Sequence, residues 1–312
     1  MSEQVITVTL NPALDKTVTV PTLKLGGLNR VKHVRIDPGG KGINVARVLD
    51  HFQTPVTATG YIAGTHGDQL LQRLQQTNIN LDFVSVGGET RTNLKIVDEA
   101  QGLTTEINES GCDLTTADLT SLEQKLEQLL NEASLLVLGG SLPQGVPHTM
   151  YGTMIYQAKS RGVRTILDAD GQALVEGLKA EPYAIKPNLY ELEQLVGTPL
   201  KTFEAIVRAG QDILSNGVNL VLVSLGEEGA ILLNHSYALK IEALPITPVS
   251  TVGAGDAMVG ALAYAIQNGA TLEDIAAWTT SAGALTASKP GTQVCTLQET
   301  RARLRDVQMK KI

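Results

Sequence analysis

The segment Thr251-Val252-Gly253-Ala254-Gly255-Asp256-Ala257-Met258-Val259-Gly260 sets two glycines before an acid and then runs into an amphipathic pattern. Met258, Leu262, Ala265 and Ile266 fall at i, i+4, i+7 and i+8, which is one face of a helix. Ser250 or Thr251 is placed to cap its start and Gly269 to end it. The first turn of such a helix offers free backbone N–H groups and the positive end of the helix dipole. Gly253 and Gly255 let an anion come close to that backbone. Asp256 then fits two readings equally well. It is the acid that a helix N-terminus favours, or it is the base that takes a proton from an attacking hydroxyl in phosphoryl transfer.

Three further stretches carry residues of the right type. In Pro38-Gly39-Gly40-Lys41-Gly42-Ile43-Asn44, three glycines and a lysine open a helix. A turn needs one glycine, so three point to a ligand touching the backbone, with Lys41 for charge and Asn44 for a hydrogen bond. Lys186-Pro187-Asn188-Leu189-Tyr190-Glu191 has the spacing of a capping box, and the cap is the favoured reading. The functional alternative puts Asn188 and Glu191 on a phosphate-bound metal, through water. Ser224-Leu225-Gly226-Glu227-Glu228-Gly229-Ala230 follows the apolar run Asn219–Val223. It fits a hairpin turn and also a ligand loop at the C-terminal end of a strand.

Other chemistries are poorly served. A dinucleotide fingerprint would need glycine at 258, which is Met, and no Walker-type phosphate loop exists. Ser141, in Gly139-Gly140-Ser141-Leu142-Pro143, is not in a hydrolase elbow. The five histidines have no ligand spacing, and Cys112 and Cys295 suit neither a zinc site nor a disulfide framework. Net charge is −7, from 25 basic and 32 acidic residues, which argues against nucleic acid as a partner. Several basic residues, Arg30, Lys41 and Arg91 among them, nevertheless gather in the first third, as a small anionic substrate would require. No secretory leader or membrane-length apolar run is seen, so a cytoplasmic protein is expected.

The elements that must position these residues are those of an α/β domain. Val5–Leu10 and Val56–Tyr61 read as buried strands, with helices at 43–52 and 67–77. From 116 onward the pattern is regular: helix 116–131, strand 135–138, helix 147–161, strand 163–168, strand 184–186, helices 188–195 and 203–216, strand 218–224, and closing helices near 254–267 and 273–288. Such alternation implies βαβ units around a mostly parallel sheet. Two excursions, 16–37 and 83–108, read as short antiparallel strands forming a small sheet, a natural lid over a site.

TLNPALD, PGGKGINVAR, GGSLP, KPNLYE, SLGEEG and TVGAGD occur in this order along the chain. The chain thereby resembles the ribokinase-like (PfkB) family of carbohydrate kinases over essentially its whole length, 1–312. It is most similar to the branch of 1-phosphofructokinases and tagatose-6-phosphate kinases, and within it to the former. The resemblance implies a three-layer α/β/α fold with a β lid, ATP and Mg²⁺ as cofactors, and a homodimer formed through the lid. It implies that Asp256 is the base and that Gly253, Ala254 and Gly255 form the anion hole. Asp15 and Asn44, with Gly39 and Gly40, would hold the sugar hydroxyls. Arg91, Lys41 and Arg30, with Ser141, would hold the phosphate already on the sugar. Lys186, Asn188 and Glu191 would serve the nucleotide phosphates and metal, and Ser224, Gly226, Gly229 and Thr251 the nucleotide pocket. The implied reaction is phosphorylation of fructose 1-phosphate, or else of tagatose 6-phosphate. A sugar-phosphate sensor without catalysis is the reading from another class, and a dehydrogenase comes third.

Overall fold

The structure, a computed structural model, describes residues 4–312. The first three residues of the expected domain, which also begin the stretch read for a leader, lie outside the described residues. The chain opens with β1 (Gln4–Thr9), β2 (Ala13–Val20), β3 (His33–Gly39), α1 (Lys41–His51), β4 (Val56–Ala63) and α2 (Gly64–Leu74). It continues through β5 (Asn80–Leu81), β6 (Val84–Val86), β7 (Arg91–Asp98), β8 (Leu103–Asn108), α3 (Thr116–Leu129) and β9 (Ala133–Gly139). There follow α4 (Met150–Ser160), β10 (Arg164–Asp168), α5 (Gly171–Leu178), β11 (Ala184–Ile185), α6 (Leu189–Val196), α7 (Phe203–Ser215) and β12 (Leu220–Ser224). The last elements are β13 (Ala230–Asn234), β14 (Ala238–Ile241), α8 (Ala254–Gln267), α9 (Leu272–Ala287), α10 (Leu297–Arg303) and β15 (Met309–Lys311).

The large sheet has the order β15-β14-β13-β12-β11-β10-β9-β1-β4-β5, with β6 also on β4. It is parallel from β12 to β5 and antiparallel along the β13-β14-β15 edge. Strands covered on both faces read as continuous apolar runs, and β4 and most of β9 are buried residue after residue. From β1 the chain moves to β4 on one side and later to β9 on the other, so strand order reverses between β1 and β9. In open α/β sheets ligands bind at the carboxyl ends of the strands beside such a reversal.

The separate small sheet has the order β3-β2-β7-β8. Its two outer pairings are antiparallel, and the central β2–β7 pairing is parallel. The expected strand at 83–86 is not part of it. Val84–Val86 runs parallel to β4 in the main sheet, so the second excursion begins at Arg91. Sequence pattern alone cannot tell a short edge strand of one sheet from the first strand of the next.

Register decides which side chains share each face of the small sheet. Asp37, Asp15, Asn93 and Asn108 form one row across the sheet, and Arg35, Thr17, Lys95 and Glu106 the next. Much of this polar face lines a cavity of about 650 Å³ whose other wall is Pro248–Val252 and Pro290–Thr292. Arg35 Nη1 donates to the Pro290 carbonyl at 3.0 Å, joining lid to core. The opposite face carries Ile36, Leu94 and Ile107 in one row and Val34, Val18 and Ile96 in another.

Candidate active site

Asp256 lies in the first turn of α8, whose N-cap is Gly253 in the left-handed region, φ 79°. Neither Ser250 nor Thr251 caps this helix as the spacing had suggested. Ser250 Oγ instead accepts from the Val252 N–H at 3.3 Å, inside the preceding turn. The Ala254 N–H donates to the Thr251 carbonyl at 3.3 Å, while those of Gly255 and Asp256 have no acceptor among the described residues. An uncapped helix start with free donors is an anion site in waiting.

Helix packing brings a partner to this acid. At Gly260 a Cβ would stand 2.6 Å from Val48 Cγ1, so α8 and α1 touch at close range. Phe52, Tyr264 and Trp278, with centroids 4.9–5.7 Å apart, fasten α1, α8 and α9 together on the same side. Asn44 in the first turns of α1 thereby donates Nδ2 to Asp256 Oδ2 at 2.7 Å. The Asp256 carboxyl is pushed up to about 6, by burial first and by the charge of Asp168 second; Asn44, Lys41 and Lys186 act against them. That places it near the range a general base requires.

The glycines before α1 have internal reasons. A Cβ at Gly39 would fall 2.6 Å from the Asp15 carboxylate, and Gly40, at φ 119°, would meet Thr9 Cγ2 at 2.5 Å. The run of glycines is thus explained by the fold without a ligand. Asp15, packed over Gly39, is buried and accepts from Asn93 Nδ2 and Lys95 Nζ, each at 3.0 Å.

Arg91 and Ser141 are brought together at the β1/β9 reversal. Arg91 donates to the Asn11 carbonyl at 3.1 and 3.3 Å, to the Glu109 carbonyl at 3.0 Å and to Ser141 Oγ at 3.4 Å. Asn11 Nδ2 completes the cluster on Ser141 Oγ at 3.3 Å. Lys41 is engaged elsewhere: its Nζ donates to Asp168 Oδ1 at 3.2 Å. Burial opposes its charge, but Asp168, Glu191 and Asp256 more than offset this and its pKa is raised. Arg30 is exposed on the lid loop between β2 and β3 and is not brought to this cluster.

At the β11–β12 end of the strands, Lys186 follows β11 and Ser224 ends β12, and a bridge between Asn188 and Ser224 extends that pairing. The capping box is formed: Asn188 Oδ1 accepts from the Glu191 N–H and Glu191 Oε2 from the Asn188 N–H, both at 2.8 Å. Gly226 opens a tight turn, and a Cβ at Gly229 would meet the Ile241 carbonyl at 2.0 Å, so the hairpin reading of that loop holds. Thr251 is exposed on the wall of the lid cavity.

Sequence reading gave Asp168, Asn93 and Asn11 no place in the site, and took Lys95 only as one of the basic residues gathered in the first third. Asp168 ends an apolar parallel strand, and Asn93 and Lys95 share the period-two face of Arg91; both signals were open to use.

The pattern of the pfkB family carbohydrate kinases matches residues 8–300. The chain belongs to that family. It is a phosphotransferase with an alcohol acceptor, and its family implies the use of ATP. A 1-phosphofructokinase from Xanthomonas campestris pv. campestris is 39% identical over 275 residues, 87% of this chain and 86% of the relative. One from Borreliella burgdorferi is 33% identical over 309 residues, 99% of each chain. Among solved structures, phosphofructokinase-2 from Escherichia coli in complex with potassium superposes with a TM-score of 0.92 at 31% identity, covering 98% of this chain and 99% of that one. The same Escherichia coli enzyme in complex with fructose-6-phosphate gives 0.90 at 30% identity, with 98% and 99% covered.

Proposed function

We propose that this kinase phosphorylates fructose 1-phosphate on its C6 hydroxyl, using ATP with Mg²⁺, to give fructose 1,6-bisphosphate. The observation that carries the reading is Asp256, a carboxylate with its pKa near 6 at an uncapped helix N-terminus, held by Asn44. The hydroxyl oxygen attacks the γ-phosphorus in line, its proton passes to Asp256, and the bond to ADP breaks. The free N–H groups at the start of α8, in the Gly253-Ala254-Gly255 turn, stabilise the charge that develops on the transferred group. Asp15 and Asn44, with the backbone of Gly39 and Gly40, hold ring hydroxyls. Arg91 and Ser141 hold the phosphate already present. Lys186 faces the nucleotide phosphates, and Ser224, Gly226, Gly229 and Thr251 border the nucleotide. The lid keeps water from competing for the phosphoryl group.

Among the described residues no group of three or more His, Cys, Asp or Glu side chains could hold a metal. The residues therefore fit a Mg²⁺ bound mainly to phosphates, with Asn188 and Glu191 helping through water; Glu191 Oε1 takes no part in the cap. When bound, the ion neutralises phosphate charge.

The test is kcat/KM for fructose 1-phosphate, tagatose 6-phosphate and fructose 6-phosphate under one set of conditions. Preference for fructose 1-phosphate is expected. Preference for tagatose 6-phosphate would overturn the choice of substrate alone, because a ketohexofuranose carries a hydroxymethyl carbon on each side of its ring oxygen and one pocket could take either. Tight binding of a sugar phosphate without turnover of any would favour a sensor.

A homodimer through the lid completes the reading. Val34, Leu103 and Ile107 are exposed on the apolar face of the small sheet, and Leu25, Leu28 and Val31 on the loop beside it. Exposed apolar clusters of this kind mark interfaces. The Ile107→Lys variant should sediment as a monomer if the lid face carries the contact; an unchanged dimer would place the contact elsewhere. No helix among the described residues is long and apolar enough to cross a membrane, and a cytoplasmic location is proposed with the metabolic role.

A further inference from the structure

The surroundings of Asp168 define a role for it. It closes β10 and is only 3% exposed. A buried carboxylate is costly unless it is paired. Here it is paired twice through one atom: Oδ1 lies 3.2 Å from Lys41 Nζ and 3.4 Å from Lys186 Nζ. Lys41 Nζ also donates to the Asp168 carbonyl, at 3.3 Å. Burial penalises the Asp168 charge, yet the two lysines hold its carboxyl below the ordinary value.

Where this puts the lysines matters. Lys41 opens α1, and Lys186 follows β11 far along the chain. Two ammonium groups repel each other, and Lys186 is itself buried. The carboxylate between them makes their meeting affordable. The ammonium of Lys186 stands 3.5 Å from where a Cβ on Gly255 would begin, so the pair sits beside the free donors of α8. The guanidinium of Arg91, by contrast, is fixed on Asn11, Glu109 and Ser141.

We propose that Asp168 is a positioning residue for phosphoryl transfer: it gathers Lys41 and Lys186 beside the start of α8, so that both cations meet the transferred group and the nucleotide phosphates. Lys41 then serves the nucleotide side, and the phosphate already on the sugar is left to Arg91 and Ser141. This rests on the kinase reading above. The charges facing Asp256 are Asp168, Lys41 and Lys186, with Asn44 as the neutral donor; Asp168 favours its protonated form and the two lysines its ionised form. Removing either kind of charge therefore moves the acid limb of the pH profile in opposite directions.

The experiment compares Asp168→Asn, Lys41→Met and the double variant, with KM for Mg·ATP and for fructose 1-phosphate measured separately. Misplacing a reacting group by about 1 Å costs about 10²-fold in rate, and Asp168→Asn should lose kcat on that scale. Its acid limb should move to lower pH. Lys41→Met should raise the KM for ATP more than that for the sugar phosphate, and its acid limb should move to higher pH. The double variant should lose no more than the worse single one, since the carboxylate acts through the lysine. An Asp168→Asn enzyme with lower Tm, unchanged kcat and an unmoved acid limb would make the residue merely structural. Lys41→Met, which leaves Asp168 paired with Lys186, decides the matter even if Asp168→Asn does not fold. A rise in the sugar-phosphate KM alone would return Lys41 to Arg91 and overturn this proposal only. Absence of turnover by the unaltered enzyme on every sugar phosphate would overturn the functional reading and this proposal together.

Discussion

Asn44 Nδ2 donates to Asp256 Oδ2 at 2.7 Å across 212 positions of sequence, and Asn44 Oδ1 is buried with no partner among the described residues. One end of the amide fixes the acid and the other remains an acceptor, which suits a ligand hydroxyl between them. An acid that merely capped α8 would have no use for such a partner. Asp256→Asn keeps the size and still accepts the Asn44 hydrogen bond, but it cannot take a proton. The variant should lose about 10²–10⁴-fold in kcat, with substrate affinity largely retained. Near-normal kcat in the folded variant would reduce Asp256 to a cap.

The raised pKa of Asp256 has opposite effects on activity and stability. With Asp256 as the proposed base, activity needs the ionised carboxylate, so kcat/KM should fall as pH drops through about 6. Between the ordinary value of 3.8 and about 6, the folded chain keeps a proton that the unfolded chain has released. The native state therefore binds more protons in that window, and stability decreases as pH rises through it. Above about 6 the cost is fully present. Asp256→Asn removes it, so the Tm of the variant should gain on that of the unaltered enzyme between about pH 4 and pH 6 and then hold a constant lead. A Tm difference independent of pH would mean that Asp256 is not perturbed by its surroundings.

The proposed phosphate grip predicts an asymmetry between ligands. Arg91 is anchored by backbone carbonyls on two sides, which orients its guanidinium without neutralising it. A charge-assisted contact is worth about 1.5–3 kcal/mol, so Arg91→Ala should weaken sugar-phosphate binding about 10–150-fold. Affinity for ATP should change far less. Calorimetric titration with each ligand checks this, and equal losses would show that Arg91 does not distinguish them.

Much of this arrangement was legible because it follows from local rules. Apolar runs separated by amphipathic periods gave the parallel sheet, and the glycines before Asp256 gave the start of α8, though not its lack of a side-chain cap. Local rules also failed in characteristic places. β15, Met309–Lys311, is a polar edge strand that pairs with β14 and leaves no periodic trace. α10 begins with a formed capping box, Thr296 and Glu299, but its later residues are polar and hid it. α5 is only eight residues long and contains two glycines. In the site, single residues at element ends were readable where a motif surrounded them. Asp168 meets Lys41 across 127 positions, Asn11 meets Ser141 across 130 and Asn93 meets Asp15 across 78, and one-dimensional spacing does not report such contacts. The glycines before α1 show the converse ambiguity. A motif can be read as ligand-driven when packing against Asp15 and Thr9 already demands it.

The contact that delivers Asn44 to Asp256 can itself be tested. Gly260 faces Val48, and a Cβ there would lie 2.6 Å from Val48 Cγ1 and 2.7 Å from its Cβ. Val48 is fully buried, so it cannot swing aside and the helices must part. Gly260→Ala should cost about 1–3 kcal/mol, as overpacking of a tight core does. It should also lower kcat in the folded enzyme, because moving α1 off α8 loosens the hydrogen bond that orients Asp256. Gly210→Ala on α7 is the control: there a Cβ meets only the tip of Leu233, at 2.9 Å, far from α1 in sequence and in sheet order. It should lower Tm less and leave kcat unchanged. Equal kcat for the two variants, measured at a temperature where both are folded, would show that the α1–α8 contact stabilises the fold without setting the geometry of the base.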